Sequence, residues 1–274
     1  MLYPLAWSLA LTLLAPPASA HPATLAPDAR AVSSSAKAGL AWPANEPSGD
    51  IQQFTTTGKV QWFYTFGPAG FASALEFVPM LGSAGQAADW DATIAGTIAS
   101  LHVTHAMGFS EPDQAAGANL SPAAAAALWQ QHIQPLAQQG IVLGSPAPSS
   151  APAGLTWLQQ WFALCSGCTV DFVAMHWTGT SATAFIEDVT EFHDVLQKPI
   201  WVTEWACEDD NGGDGCSPEN VASFMSATQQ FMDTTDFVER YAWSGVFGLG
   251  FVTDDSIVDA NGNINALGEQ YIGA

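Results

Sequence analysis

Eight short apolar or β-branched runs, separated by longer segments with helical signals, constrain this chain more than any other feature. They are AGLAW (38–42), VQWFYTF (60–66), EFVPML (76–81), HVTHAMGF (102–109), IVLGSP (141–146), DFVAMHW (171–177), PIWVTEW (199–205) and RYAWSGVF (240–247). Strands covered on both faces read as nearly continuous apolar runs, and regular alternation with helices makes them parallel neighbours. The intervening helices are marked at their ends. Ser121-Pro122 and Ser217-Pro218 each offer an N-cap oxygen and then a proline whose missing N–H costs nothing in a first turn; Gly140 stops the first of these segments. In SATAFIEDVTEFHDVLQ, Phe185, Val189, Phe192 and Leu196 share one helical face. Eight such units in about 235 residues fit a single-domain (β/α)8 barrel of the α/β class. The rival is an open doubly wound sheet, but no Gly-x-Gly-x-x-Gly turn follows the first run.

Residues 37–274 carry this pattern. Ahead of them, residues 1–20 hold an apolar run, Leu9 to Leu14, that passes through Pro16 and Pro17 to Ala18-Ser19-Ala20, and they read as a secretory signal cut after Ala20. Residues 21–36, rich in Ala, Ser and Pro, read as a linker or propeptide. No run is long enough to span a bilayer; with the signal at the front, a soluble secreted protein is expected, and a monomer.

Five Lys and Arg against 26 Asp and Glu give a surface that repels phosphate backbones and anionic lipid, so neither nucleic acid nor membrane is expected as a partner. Charged residues are only 11% of the chain, whereas tryptophan occurs 11 times; ring faces of that kind stack on sugars. The four cysteines form two local pairs, Cys165 with Cys168 and Cys207 with Cys216, and an oxidising compartment makes both expected disulfides. His102 and His105 alternate faces if both lie on a strand, and DDNGGD lacks the ligand spacing of a calcium loop, so no metal or cofactor is expected. The sequon Asn119-Leu120-Ser121 is a poor glycosylation site, because Ser121 is an expected helix cap and Pro122 follows.

Two carboxylates stand where a barrel carries its chemistry, at the C-terminal ends of strands. Glu111 follows the fourth run and Glu204 ends the seventh, between Trp201 and Trp205. A carboxylate in such apolar company is costly unless it is bonded or used. The structural alternatives are a cap role for Glu111 and an ion pair with Arg240 or Lys198 for Glu204. Two facing carboxylates otherwise suit glycoside hydrolysis, in which one protonates the leaving oxygen and the other attacks the anomeric carbon or activates water.

KAGLAW, WFYTF, GFSEPD, CSGCTVDFVAMHW, WVTEWACE and YAWSGVF, in that order along the chain, resemble glycoside hydrolase family 128, a family of clan A barrels that are endo-acting β-1,3-glucanases. The resemblance implies a retaining mechanism with Glu111 as acid/base and Glu204 as nucleophile. It also implies a β-1,3-glucan cleft lined by Trp42, Trp62, Tyr64, Ser110, His176, Trp177 and Trp243. The chain departs from the family pattern at Ser110, where Asn is usual, at Thr65 and Phe66 on the second strand, and at Thr178, where Tyr is common. Each change shortens or removes a polar contact to the reacting sugar. A binding-only β-glucan protein on the same scaffold, or a clan A glycosidase of other β-glycan specificity, are the competing readings.

Overall fold

The structure is a computed structural model that describes residues 36–44, 50–150, 152–208, 215–244 and 253–274. The expected signal and linker therefore lie outside the described residues, apart from Ala36, as do 45–49, 209–214 and 245–252. The strands are β1 (Ala38–Ala41), β2 (Val60–Tyr64), β3 (Glu76–Phe77), β4 (His105–Met107), β5 (Val142–Gly144), β6 (Val173–Thr178), β7 (Ile200–Ala206) and β8 (Val238–Trp243). Between and after them come α1 (Ala87–Leu101), α2 (Pro122–Leu128), α3 (Pro152–Leu164), α4 (Ala182–Leu196), α5 (Pro218–Thr234) and α6 (Ala266–Ile272).

All eight expected strands are present, and they close into a ring. Parallel pairing runs β3-β2-β1-β8-β7-β6, and β4 pairs with β5. The two groups are joined by parallel bridges, Met80 to Met107 between the β3 and β4 segments and Gly144 to Phe172 between β5 and β6. Bonds from Met107 N to Pro79 O and from Ser145 N to Phe172 O complete those seams. The chain is thus a (β/α)8 barrel.

Strand ends differ from the sequence reading for local reasons. His102 is the left-handed cap of α1 at φ 52°, so β4 starts only at His105 and the two histidines do not share a strand. The segment after Ser121 begins as a helix with Ser121 Oγ accepting from Ala124 N. It then loosens into a π turn over Trp129–Ile133 and a 3-10 turn over Gln134–Gln139. Pro135 accounts for the change, because it has no N–H for the α pattern and its ring crowds the preceding turn. Gly140 ends the segment at φ 79°.

The wall separates two packed layers. Trp62, Tyr64, Val78, Met80, Met107, Phe172, Ala174, Trp201 and Ala242 point into the barrel, while Phe63, Met175, Trp177, Val202, Trp205, Tyr241 and Trp243 pack outward against the helices. At the N-terminal end Arg240 lies 4.3 Å over the Trp201 ring and pairs with Glu76 at 2.7 Å, and Glu76 also meets His105 Nδ1 at 2.6 Å. This polar plug closes the floor and leaves the opposite end for function. Disulfides join Cys165 to Cys168 and Cys207 to Cys216, as the local pairing implied. Among the described residues no helix is long and apolar enough to cross a membrane.

Candidate active site

Glu204 owes its direction to an irregularity in β7. Met175 pairs with Val202 but the next residue, His176, pairs with Glu204, so Thr203 is an extra residue on β7. Strict alternation from inward Trp201 and outward Val202 would send Glu204 outward; the bulge re-aims it to the inside, beside His176. His176 itself obeys the alternation of β6, two residues beyond inward Ala174.

Glu111 arrives by a different route. It follows β4 in a loop, with its backbone at φ 42°, a left-handed conformation uncommon outside glycine. Its N–H donates to Ala147 O at 2.8 Å, beyond the end of β5. The loop folds back tightly, for a methyl group on Gly117 would overlap the Glu111 carbonyl and Cβ.

These routes meet at one imidazole. His176 Nδ1 hydrogen-bonds Glu111 Oε1 at 3.3 Å, and His176 Nε2 lies 3.2 Å from Glu204 Oε1. The second contact is close enough for strong attraction but not aligned as a hydrogen bond, and Nε2 is otherwise without a partner among the described residues. Tyr64 OH is 3.0 Å from Glu204 Oε1 and 3.1 Å from Thr203 O, so its one proton is shared between them. Ser244 Oγ donates to Glu204 Oε2 at 3.3 Å. His176 is buried, while the side chains of Glu111 and Glu204 keep 35% and 19% exposure, so both carboxylates are open to a ligand.

The electrostatics follow from this geometry. The His176 hydrogen bond holds the Glu111 carboxyl below its ordinary range, against partial burial and the negative charge of Asp113. Burial alone would lower His176; the charge of Glu204, the bond to Glu111 and the charges of Glu111 and Asp113 outweigh it and raise it. Burial, then the charge and bond of Glu204, push the Tyr64 phenol well above its ordinary range, which keeps it neutral and able to donate. The His176 ring thus stands between the two glutamate side chains, with a phenol and a hydroxyl bonded to the second.

Neither structural alternative for the glutamates is present. Arg240 is paired with Glu76, and Lys198 Nζ donates to Val170 O, so neither of these two cations ties up Glu204. The Glu111 carbonyl accepts from Gln114 N in a turn, and among the described residues no helix-start N–H is bonded to its carboxylate. Tyr64 bonds Glu204 and His176 contacts both glutamates, while the half-buried Ser110 precedes Glu111 in the chain. The four tryptophans expected along the cleft require correction, because their rings are packed away. Trp177 and Trp243 alternate outward: Trp177 stacks on Phe224 and donates to Asp188, and Trp243 donates to Asp255 O and packs on Trp205. Trp42 packs its edge on Phe54 in the outer layer. Trp62 points inward but one layer below Tyr64, with its N–H on Lys37 O and its ring against Trp201. Ser244 was not anticipated as a site residue, although it lies inside YAWSGVF. No cluster of His, Cys, Asp and Glu among the described residues is arranged to hold a metal ion.

In a parallel barrel, two accessible carboxylates at the strand ends are the arrangement with which glycosidases work. The family described as "Glycosyl hydrolase catalytic core" matches residues 39–271, and the chain belongs to it, within glycoside hydrolase family 128. It is 31% identical over 252 residues to alkali-sensitive linkage protein 1 of Schizosaccharomyces pombe, covering 87% of this chain and 44% of that protein, so it spans less than half of this curated relative. It is similar to a curdlan-specific exo-β-1,3-glucanase from Blastomyces gilchristii solved with glucose (30% identity, 88% of this chain and 100% of that one, TM-score 0.74). It is also similar to an endo-β-1,3-glucanase from Sorangium cellulosum (28%, 87% and 98%, TM-score 0.73). A third similar structure is an oligosaccharide-binding protein from Cryptococcus neoformans (26%, 89% and 94%, TM-score 0.71). The family thus contains β-1,3-glucanases of both modes and a member described by binding.

Proposed function

We propose that this chain is a secreted, retaining β-1,3-glucanase that cleaves internal bonds, with Glu111 as acid/base and Glu204 as nucleophile. The observation that carries this reading is the placement of both carboxylates, partly exposed, on the two nitrogens of His176. The similar glucanases support the substrate class, and the two disulfides support an oxidising compartment.

In the proposed cycle Glu204 attacks the anomeric carbon while Glu111 protonates the leaving oxygen. Glu111 then takes a proton from water, whose oxygen displaces Glu204 from the same carbon with net retention. Tyr64 and Ser244 bond the Glu204 carboxylate and fix its orientation for attack. His176 Nδ1, in contact with Glu111 Oε1, is placed to exchange a proton with that carboxyl.

The test is reducing-sugar release from a linear β-1,3-glucan, with the first-formed anomer followed by NMR. Retention yields the β anomer first; α-first product rejects the retaining step. Products of mixed length early in the reaction support internal cleavage, whereas glucose alone from the outset rejects it. Glu111→Gln is expected to lose more activity on glucan than on an aryl glycoside with a good leaving group, and equal losses count against its acid role. A second reading, binding without turnover, is favoured by Ser110 and Thr178 and by the oligosaccharide-binding relative. Retention of the polymer with no shortening would establish it.

A further inference from the structure

We propose that Asp113 is a positioning residue: its carboxylate clamps the loop after β4 to the segment that extends β5, and so holds the Glu111 carboxyl against His176. This rests on the reading of Glu111 as the acid. The clamp is specific in its bonds. Asp113 Oδ1 accepts from Ser149 N at 3.0 Å and Oδ2 from Ser149 Oγ at 2.6 Å. Gln114 Nε2 reaches both Asp113 Oδ2 at 3.0 Å and Ser149 Oγ at 2.8 Å, which closes the ring of contacts.

Residues 147–150 turn alternately to the two sides of the site. Ala147 O accepts from Glu111 N, and Ser149 binds Asp113; Pro148 O accepts from His176 N at 3.0 Å, and Ser150 Oγ bonds the backbone of Thr178. One short extended strap therefore carries both partners of the Glu111 to His176 contact. Left to itself, a glutamate loop at φ 42° tends to relax, because that backbone region costs energy for a residue with a Cβ. The Ser149 clamp opposes that relaxation from two residues away, and its charge also reaches both Glu111 and His176.

The test compares Asp113→Asn, Asp113→Ala and Ser149→Ala with the unaltered chain. On linear β-1,3-glucan, Asp113→Ala is expected to lose kcat by about 100-fold with KM within about threefold, since a misplaced acid impairs chemistry more than binding. On a dinitrophenyl glycoside, which needs little protonation, the loss is expected to stay below about tenfold. Equal losses on both substrates, or unaltered kcat with only a lower Tm, overturn the proposal.

An NMR titration of the His176 ring provides a readout that needs no turnover. Asn and Ala remove the same charge, but only Asn keeps an acceptor for Ser149 N. Both are expected to lower the His176 pKa, Ala more than Asn, as Glu111 moves off the ring. Equal shifts mean that charge alone acts, and they overturn the clamp. Ser149→Ala, which changes no charge and is the milder variant for folding, is expected to shift His176 in the same direction; no shift refutes the proposal. An inert unaltered chain on glucan would defeat the hydrolase reading and leave this titration decisive for the clamp.

Discussion

The residues at the centre have distinct proposed duties, and single substitutions separate them. Glu204→Gln keeps the size and one acceptor but removes the charge to which the proposed attack is assigned. It is expected to abolish turnover while Tm and oligosaccharide affinity stay near those of the unaltered protein, as calorimetry would show; appreciable residual activity rejects the nucleophile assignment. Tyr64 is held neutral and faces Glu204 Oε1 at 3.0 Å. Hydrogen bonds to charged groups contribute about 1.5–3 kcal/mol, so Tyr64→Phe is expected to lower kcat by roughly 10- to 100-fold with little change in fold. Unchanged kcat would show that Ser244 suffices to orient the carboxylate. Little of this residue detail was legible beforehand. Both glutamates stood out because polar groups at the ends of apolar strands need a reason to be there; His176 was named by the family resemblance. Trp177 and Trp243 misled because each sits beside an inward site residue, yet alternation turns its own ring to the helices.

Among the elements, the strands were the most legible part of the chain, since two-sided burial writes them as apolar runs. The bulge at Thr203 was not legible: an extra residue leaves no mark on composition, and it decides where Glu204 points. The π turn over Trp129–Ile133 was foreshadowed only by Pro135, inside a run that otherwise reads as one helix. Helix starts were plain. Ser217 Oγ accepts from Asn220 N in front of Pro218, as the Ser-Pro pair implied. Ser217→Ala is expected to cost about 1 kcal/mol, or a Tm drop of roughly 2–4 °C, with kcat unchanged. A loss of activity without a loss of stability would mean that this end of α5 serves the site directly.

For the whole molecule, eight-fold alternation and length were enough to specify the barrel, whereas the long-range pairing that plugs its floor was invisible because Glu76 and Arg240 lie 164 residues apart. Burial opposes the Glu76 charge, but His105 and Arg240 dominate and bring its pKa down to about 2. A carboxyl whose folded-state pKa is depressed stabilises the fold fully above its ordinary value. That contribution fades as pH falls from about 4.5 toward 2. The shift corresponds to at most about 3 kcal/mol, less whatever solvent screening its partial exposure allows. Glu76→Gln is expected to lower stability at neutral pH by a comparable amount and to flatten its decline between pH 4.5 and 2, measured by urea unfolding. An unaltered acid slope in that variant would assign the slope to other carboxylates.

The plug and the glutamate centre occupy opposite poles of one tube. A substitution in the plug can therefore be tried for its effect on the fold in acid without altering a side chain that faces the ligand.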